Sequence, residues 1–476
     1  MRINNHIITI FGGTGDLSFR KLLPAFYNLH AGNKLPESFH IVVVGRQDLT
    51  TETYRQRLRP WLKEHSRCPI DDESMELYLS YVSYFKMTFT EDEGYPQLKT
   101  YFNSLDENAR LLYYFAVSPS FFETITYKLK NHGLTHNAKV IIEKPFGNDL
   151  VSAIKINQTL TDILGDDNIY RIDHYIAKEM VQNIYTIRFG NALFKEIWGR
   201  KAIKSIQISA NETVGVESRG TFYEATGALK DMFPNHLLQI LSIVTMEEPK
   251  SFDAHHIHHQ QEKVLEHLDI KNVQEDVIYG QYTQAINSKS YRDEANVSPD
   301  SNVETFVALK LAIDNDRWRD VPIYVRTGKR MHKRSTEVVL EFKEELNQTS
   351  NLIIIKIQPD EGVYVRFNIK KPGQKNDTET VFMDFCQSCN YENRLNTPEA
   401  YERLLHAAML EDHTLFASFK QVELSWKLAE KIINGTHDNP LYFYEAFTSG
   451  PKESYDLLRN DNNDWIDEEV LGELSS

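Results

Sequence analysis

Ile7-Ile8-Thr9-Ile10-Phe11 runs directly into Gly12-Gly13-Thr14-Gly15-Asp16-Leu17 and then into a helical pattern that continues to His30. A short apolar strand, a glycine-rich turn and a helix predict the opening unit of a dinucleotide-binding domain. Glycines there let backbone approach a pyrophosphate, and the helix N-terminus supplies N–H donors and positive dipole. Gly12, Gly13, Thr14, Gly15, Asp16 and Leu17 are therefore candidate cofactor-binding residues. Read as G-x-G-x-x-G from Gly13, the third glycine is Ser18, so a plain glycine turn before a helix stays open as an alternative.

The pattern around this stretch agrees. From residue 6 to about 190, short apolar runs (Ile7–Phe11, Ile41–Val44, Leu111–Val117, Val140–Ile142) alternate with amphipathic ones at Gly15–His30, Thr51–His65, Phe121–Asn131, Asp149–Ile163 and Lys178–Phe189. That is the signature of βαβ units on a mainly parallel sheet. After residue 200 the period changes to two. Val307, Leu309, Leu311 and Ile313 share one face, as do Val363, Val365, Phe367 and Ile369, with Tyr364, Arg366 and Asn368 opposite, predicting antiparallel strands with one covered face. Pro398 to Ile433 reads as two helices, and the acidic tail from Asn460 as loose chain. The fold class is α/β plus α+β: a Rossmann-like domain over residues 1–173, then a larger α+β domain over residues 174–476.

Composition narrows the function classes. The 476 residues, 41% hydrophobic and 25% charged, are those of an ordinary globular protein. Sixty-eight acidic against 53 basic residues give a net charge of -15, which argues against nucleic acid or an anionic membrane as a partner, so any anionic ligand must be held by a local cluster of base. Three cysteines are too few for a disulfide framework, and the chain has neither a signal-peptide pattern nor an apolar run of the roughly 20 residues that span a bilayer. A soluble cytoplasmic protein is expected.

Four further stretches carry chemistry. After the second strand, Val44-Gly45 is followed by Arg46 and Gln47, with no acid until Asp48. An acid here would bind the ribose 2′-hydroxyl of NAD, whereas an arginine accommodates the 2′-phosphate of NADP. This favours NADP and leaves NAD, or a merely solvated Arg46, open. Glu143-Lys144-Pro145-Phe146-Gly147 follows the strand Val140–Ile142, at the carboxyl end where ligands of open sheets collect; Lys144 can reach substrate or cofactor, or sit in a structural turn. In Arg171-Ile172-Asp173-His174-Tyr175-Ile176-Ala177-Lys178-Glu179, a helix starting near Tyr175 would put His174 and Lys178 on one face, where a phosphate would relieve their repulsion. Asp173 as a simple helix cap is the competing reading. Finally, Asp231-Met232-Phe233-Pro234-Asn235-His236 leads into an apolar helix, with His236 either a base or a satisfied core histidine.

Together these stretches resemble the glucose-6-phosphate dehydrogenase family. The resemblance runs in order from Ile7 to about Trp465, through GGTGDL, EKPFG, RIDHY with Lys178 and Glu179, DMFPNH, Glu304-Thr305-Phe306-Val307-Ala308-Leu309, Val325 to Met331, Gln358-Pro359-Asp360-Glu361, and Ala400 to Leu405 with Asp412 to Phe416. It implies oxidation of glucose 6-phosphate to 6-phosphoglucono-δ-lactone with hydride transfer to NADP, the first step of the oxidative pentose phosphate pathway. It implies His236 as general base and Asp173 as the carboxylate that orients it. His174, Tyr175, Lys178 and Arg334 match the phosphate site, and Lys144 the lysine that contacts sugar and coenzyme. Glu212, Asp231, Lys329 and Gln358 match the sugar pocket. The resemblance also implies a homodimer, or a dimer of dimers, joined through the large sheet.

The sequence departs from the family pattern in places. Ser18 and Phe19 stand for a usual alanine and a usual basic residue, although Arg20 and Lys21 remain; Ala177 stands for a glycine and Pro234 for a glutamine. These keep two alternatives in view: a related sugar or sugar-phosphate dehydrogenase with an altered phosphate site, and a catalytically silent sugar-phosphate-binding paralogue. No metal site is predicted. Cys386-Gln387-Ser388-Cys389 lacks a second pair, and His255-His256-Ile257-His258-His259 reads as part of a polar connection.

Overall fold

The computed structural model describes residues 4–346, 348–373, 377–386 and 397–467. The chain divides into two compact units: Met1–Ala177 with Lys250–His258 and Pro398–Glu423, and Lys178–Pro249 with His259–Thr397 and Leu424–Ser476. Both units are thus discontinuous in sequence.

The first unit holds a seven-stranded sheet. Its strands are β1 (His6–Phe11), β2 (Phe39–Gly45), β3 (Val82–Lys86), β4 (Arg110–Phe115), β5 (Ala138–Glu143) and β6 (Ile169–Ile172), with the short strand Phe416–Ala417 antiparallel on β6. The order across the sheet is β6-β5-β4-β1-β2-β3, all parallel. Every residue of β1 is buried, as expected of a central parallel strand covered on both faces. The helix Thr51–His65 forms where expected because the Thr50 hydroxyl accepts the Thr53 N–H at 3.1 Å, and a capping box of Asp149 and Ser152 starts Leu150–Leu164. The expected helix after the glycines forms in two parts, a π-helical turn at Ser18–Leu22 and an α-helix at Leu23–Ala31.

The second unit is built on a ten-stranded sheet. Its strands include β7 (Ile203–Asn211), β8 (Leu268–Asp269), β9 (Val277–Thr283), β10 (Phe306–Ile313), β11 (Ile323–Gly328), β12 (Ser335–Phe342), β13 (Leu352–Gln358), β14 (Gly362–Lys370), β15 (Thr378–Cys386) and the strand Leu441–Glu445. The path runs β15-β14-β13-β12-β7-β11-β10-β9 and ends on Leu441–Glu445, with β8 on β10. Only β7–β11 and β9 with Leu441–Glu445 are parallel. The expected mainly antiparallel sheet is therefore present.

Three expectations need correction. Val363, Val365 and Phe367 are only half-buried and Ile369 is exposed, although the alternation predicts a covered face. The face that is covered is the other one: Tyr364 and Phe382 pack with Ile466 on Val339, Leu352 and Ile354. The chain beyond Asn460 is also not loose as far as it is described. Trp465 is 2% exposed, its ring lies under the Arg326 guanidinium at 4.1 Å, and the Ile466 N–H donates to Gln207 at 2.9 Å. An aromatic anchor outweighs the acidic composition around it. His255–His259 belongs to a helix, Ala254–His267, in which the Asp253 carboxylate takes the His256 N–H at 3.0 Å. Cys386 closes β15 and is disulfide-bonded, whereas Cys389 lies outside the described residues. Among the described residues no helix is long and apolar enough to cross a membrane.

Candidate active site

In the first unit the glycine turn is a cradle that side chains would fill. Gly12 has φ +84°, and a Cβ on it would lie 2.3 Å from the Ala116 carbonyl oxygen; a Cβ on Gly13 would lie 1.9 Å from a Val43 methyl. The turn is held from below: the Gly13 N–H donates to Val44 at 3.1 Å, and the Tyr54 hydroxyl donates to the Gly13 carbonyl at 2.6 Å. Phe19 packs on that tyrosine with its ring tilted by 30° and centroids 5.2 Å apart, and on Trp61 at 5.9 Å. Its replacement of a basic residue therefore serves the packing beneath the loop. Arg20 forms an ion pair with Asp16 of the turn itself at 2.6 Å, and Lys21 one with Glu399 at 3.0 Å.

The loop after β2 sorts its charges. Asp48, its nearest acid, is paired with Lys86 at 2.8 Å, which holds its carboxyl below the usual range. Arg57 donates to the Gln47 side chain at 2.9 Å, and the Tyr84 hydroxyl to the Gln47 carbonyl at 2.8 Å. Arg46 is exposed and makes no hydrogen bond or ion pair among the described residues.

At the end of β5, Glu143 accepts hydroxyl bonds from Tyr114 at 2.5 Å and Tyr401 at 3.0 Å. Burial pushes its carboxyl up despite those two donors. Lys144 follows, joined to Pro145 by a cis peptide bond.

Beyond β6 the chain makes turns, and the next helix, Glu179–Phe189, starts at Glu179 and not near Tyr175. The four-residue helical spacing proposed for His174 and Lys178 does not exist. The reason is Asp173: its buried carboxylate takes the Tyr175 N–H at 2.9 Å and its carbonyl the Ile176 N–H at 3.1 Å, which favours a turn over a helix. Ala177 has no positive φ; its methyl is fully buried in the core with Leu404, Leu405 and Ala408. The substitution of glycine is thus absorbed by packing.

In the second unit the strand register gathers candidates that are far apart in sequence. Asn211 of β7 pairs with Gly328 of β11 on one side and Ser335 of β12 on the other, and Thr336 of β12 pairs with Gln358 of β13. Glu212, Lys329, Arg334 and Gln358 therefore emerge at one end of four adjacent strands. Glu212 and Lys329 form an ion pair, and the Lys178 ammonium donates to Gln358, whose amide in turn donates to Thr336 at 2.9 Å. Arg334 is exposed. Asp231 and His236 come from a helical segment beside this end. Met232 is followed by a π-helical turn, Phe233–Leu237, that carries Pro234 and His236, and His236 is buried. A wider turn accommodates a proline ring that an α-helical interior would exclude.

The family models agree with this division of labour. The model described as the glucose-6-phosphate dehydrogenase NAD binding domain matches residues 9–183, and the C-terminal domain model of the same enzyme matches residues 185–466. The chain belongs to the glucose-6-phosphate dehydrogenase family. It is 40% identical to glucose-6-phosphate 1-dehydrogenase of Bacillus subtilis, over 96% of this chain and 98% of that one, and 39% identical to its counterpart in Chlamydia pneumoniae, over 96% and 95%. A glucose-6-phosphate dehydrogenase solved in complex with its substrate superposes with a TM-score of 0.91 at 33% identity, covering 98% of this chain and all of that one. As a glucose-6-phosphate dehydrogenase family member the chain is an oxidoreductase with a nicotinamide-dinucleotide domain.

Three tyrosines that no motif marks, Tyr54, Tyr114 and Tyr401, hold the glycine turn and Glu143 of this family member. Each acts through one hydroxyl aimed by tertiary packing, and nothing local in the sequence marks them.

Proposed function

We propose that the chain oxidises D-glucose 6-phosphate to 6-phospho-D-glucono-1,5-lactone with NADP as hydride acceptor. The observation that carries this reading is the strand register that brings Glu212, Lys329, Arg334 and Gln358 to one end of the second sheet. Carboxylates and amides there suit sugar hydroxyls, and cations suit a dianionic phosphate.

His236 removes the O1 proton as the C1–H bond breaks, so that O1 becomes the lactone carbonyl. Asp173 is the carboxylate that keeps the base in its productive tautomer and stabilises its charged form. Glu212, Asp231, Lys329 and Gln358 hold the hydroxyls; His174, Tyr175, Lys178 and Arg334 hold the phosphate; Lys144 serves sugar and coenzyme. The dinucleotide, when bound, supplies the nicotinamide ring that accepts the hydride. Gly12 to Leu17 cradle its pyrophosphate, and Arg46 with Gln47 receives its adenosine end. Arg46 is available for a 2′-phosphate, while the Asp48 carboxylate that could favour NAD is taken by Lys86.

Met383, Phe385 and Ile369 are 62%, 54% and 37% exposed on one face of β14 and β15, which supports a homodimer joined through this sheet. A cytoplasmic location accords with the pool of sugar phosphate and nicotinamide coenzyme the reaction draws on.

The test is to mix protein, glucose 6-phosphate and NADP and follow reduced-nicotinamide absorbance. His236→Asn is expected to retain substrate binding and lose about 10²-fold or more in kcat, and Asp173→Asn to add little further loss in the double variant. Near-normal turnover by His236→Asn would reject the assignment.

A further inference from the structure

The helix Gly220–Met232 is interrupted at Gly227, whose φ of 64° and ψ of 179° belong to glycine alone. Two N–H groups open the helical turn beyond the break, and both go to Glu304. The Ala228 N–H donates to its carbonyl at 3.0 Å and the Leu229 N–H to its carboxylate at 3.1 Å. The carboxylate lies so close that a Cβ on Gly227 would be 2.3 Å from its Oε1. The turn it anchors carries Asp231 and leads without a break into the π-helical turn of His236.

The next residue holds the opposite wall. The Thr305 carbonyl accepts the Lys329 N–H at 2.9 Å, and the Tyr444 hydroxyl, 3.2 Å from Thr305 Oγ1, donates to the Lys329 carbonyl at 2.6 Å. Two consecutive residues just before β10 thus grip both the segment of Asp231 and His236 and the loop of Lys329.

We propose that Glu304 is a positioning residue for sugar-phosphate oxidation: its carboxylate sets the place of Asp231 and His236 by accepting the Leu229 N–H at the Gly227 break. The proposal rests on the function assigned above to those two residues. Glu304 opens onto a cavity of about 550 Å³ lined also by Glu224, Lys230, Tyr279, Asn302 and His437. Burial pushes its carboxyl up to about 7, with the Leu229 N–H and the Lys230 ammonium opposing the shift. An acceptor is what the turn requires, and a glutamine carbonyl supplies one without charge.

Glu304→Ala and Glu304→Gln are compared with the full-length wild type by steady-state kinetics and by amide hydrogen exchange across residues 228–237. Glu304→Ala is expected to lower kcat/KM for glucose 6-phosphate about tenfold or more, leave the KM for NADP within about threefold, and speed exchange of this segment. Glu304→Gln restores both readouts to within about threefold of wild type. Gly227→Ala, which displaces the carboxylate by steric contact, reproduces the alanine variant and serves if Glu304→Ala does not accumulate folded. Wild-type kinetics in Glu304→Ala or Gly227→Ala, or a Glu304→Gln as defective as Glu304→Ala, overturns the proposal. Absence of turnover in the wild type defeats the functional reading instead, and the exchange comparison still decides whether Glu304 holds the turn.

Discussion

The hydroxyl of Tyr54, from the helix after β2, donates to the carbonyl of Gly13 at 2.6 Å and thereby holds the glycine turn from beneath. The tyrosine is fully buried, so the carbonyl has no water to replace the bond. Phe19 packs on the same ring, which explains why a position usually basic can be aromatic here.

Tyr54→Phe leaves that buried acceptor unsatisfied at a cost of about 1–3 kcal/mol. Part of the cost falls on the loop and part on the fold. The KM for the dinucleotide is expected to rise about three- to tenfold, with kcat and the KM for glucose 6-phosphate changed less. Titration of the coenzyme by fluorescence checks it; an unchanged affinity means the loop keeps its shape without the bond.

Arg46 has no partner among the described residues, and Asp48 is paired with Lys86 at 2.8 Å. Arg46→Ala should therefore raise the KM for NADP about tenfold or more and leave that for NAD nearly unchanged, because only NADP has a phosphate for it to meet. Parallel kinetics with both coenzymes decide this. Equal losses would place Arg46 outside the 2′-phosphate site.

Glu304 gives stability a pH dependence whose sign is set by its raised carboxyl, about 7 against 4.5 for the free side chain. A carboxyl raised on folding binds its proton more tightly in the native state. Its contribution is thus full below about pH 4.5 and is lost as pH climbs through 7. The loss is about 3 kcal/mol by pH 8. Glu304→Gln removes the titration. Between pH 5 and pH 8 the wild type should lose stability relative to this variant in urea unfolding, and parallel curves for the two would refute the shift.

Met383 and Phe385 are exposed on the β15 face, opposite half-buried Val365 and Val363 of β14. Met383→Glu with Phe385→Glu would place unpaired charges in an interface at a cost of several kcal/mol and cost the isolated fold little. Sedimentation is expected to show a dimer becoming a monomer with an unchanged far-UV spectrum. A double variant that remains dimeric assigns the interface to another surface.

Much of this was legible along the chain because it depends on near neighbours. Ile7 to Leu17 specifies a strand, a turn and a helix through local sterics, and Gly12 and Gly13 could be read as glycines that backbone approach demands. The period-two runs at Phe306–Ile313 and Val363–Ile369 announced strands for the same reason. Local pattern failed in two ways. At Tyr175 the hydrophobic period predicted a helix, but a neighbouring side chain, the Asp173 carboxylate, takes the backbone N–H and makes a turn. The tail read as loose, but a distant residue decides it: Trp465 finds a buried seat beside Arg326.

Which residues meet was a matter of register, and register is set by pairing between strands distant along the chain. Nothing near Glu212 in sequence says that Gly328 will lie beside Asn211, so the ion pair of Glu212 with Lys329 exists only once β7 and β11 are zipped together. The same holds for Glu304 and Gly227: a glycine in a helical pattern looks like a weakness until the carboxylate that occupies its missing side chain's place arrives from the segment leading into β10. The residue types and their local conformations follow from chain sterics and hydrophobic period, whereas the partners of each polar group follow from burial, which leaves a donor or acceptor only the neighbours that the packed sheet brings to it.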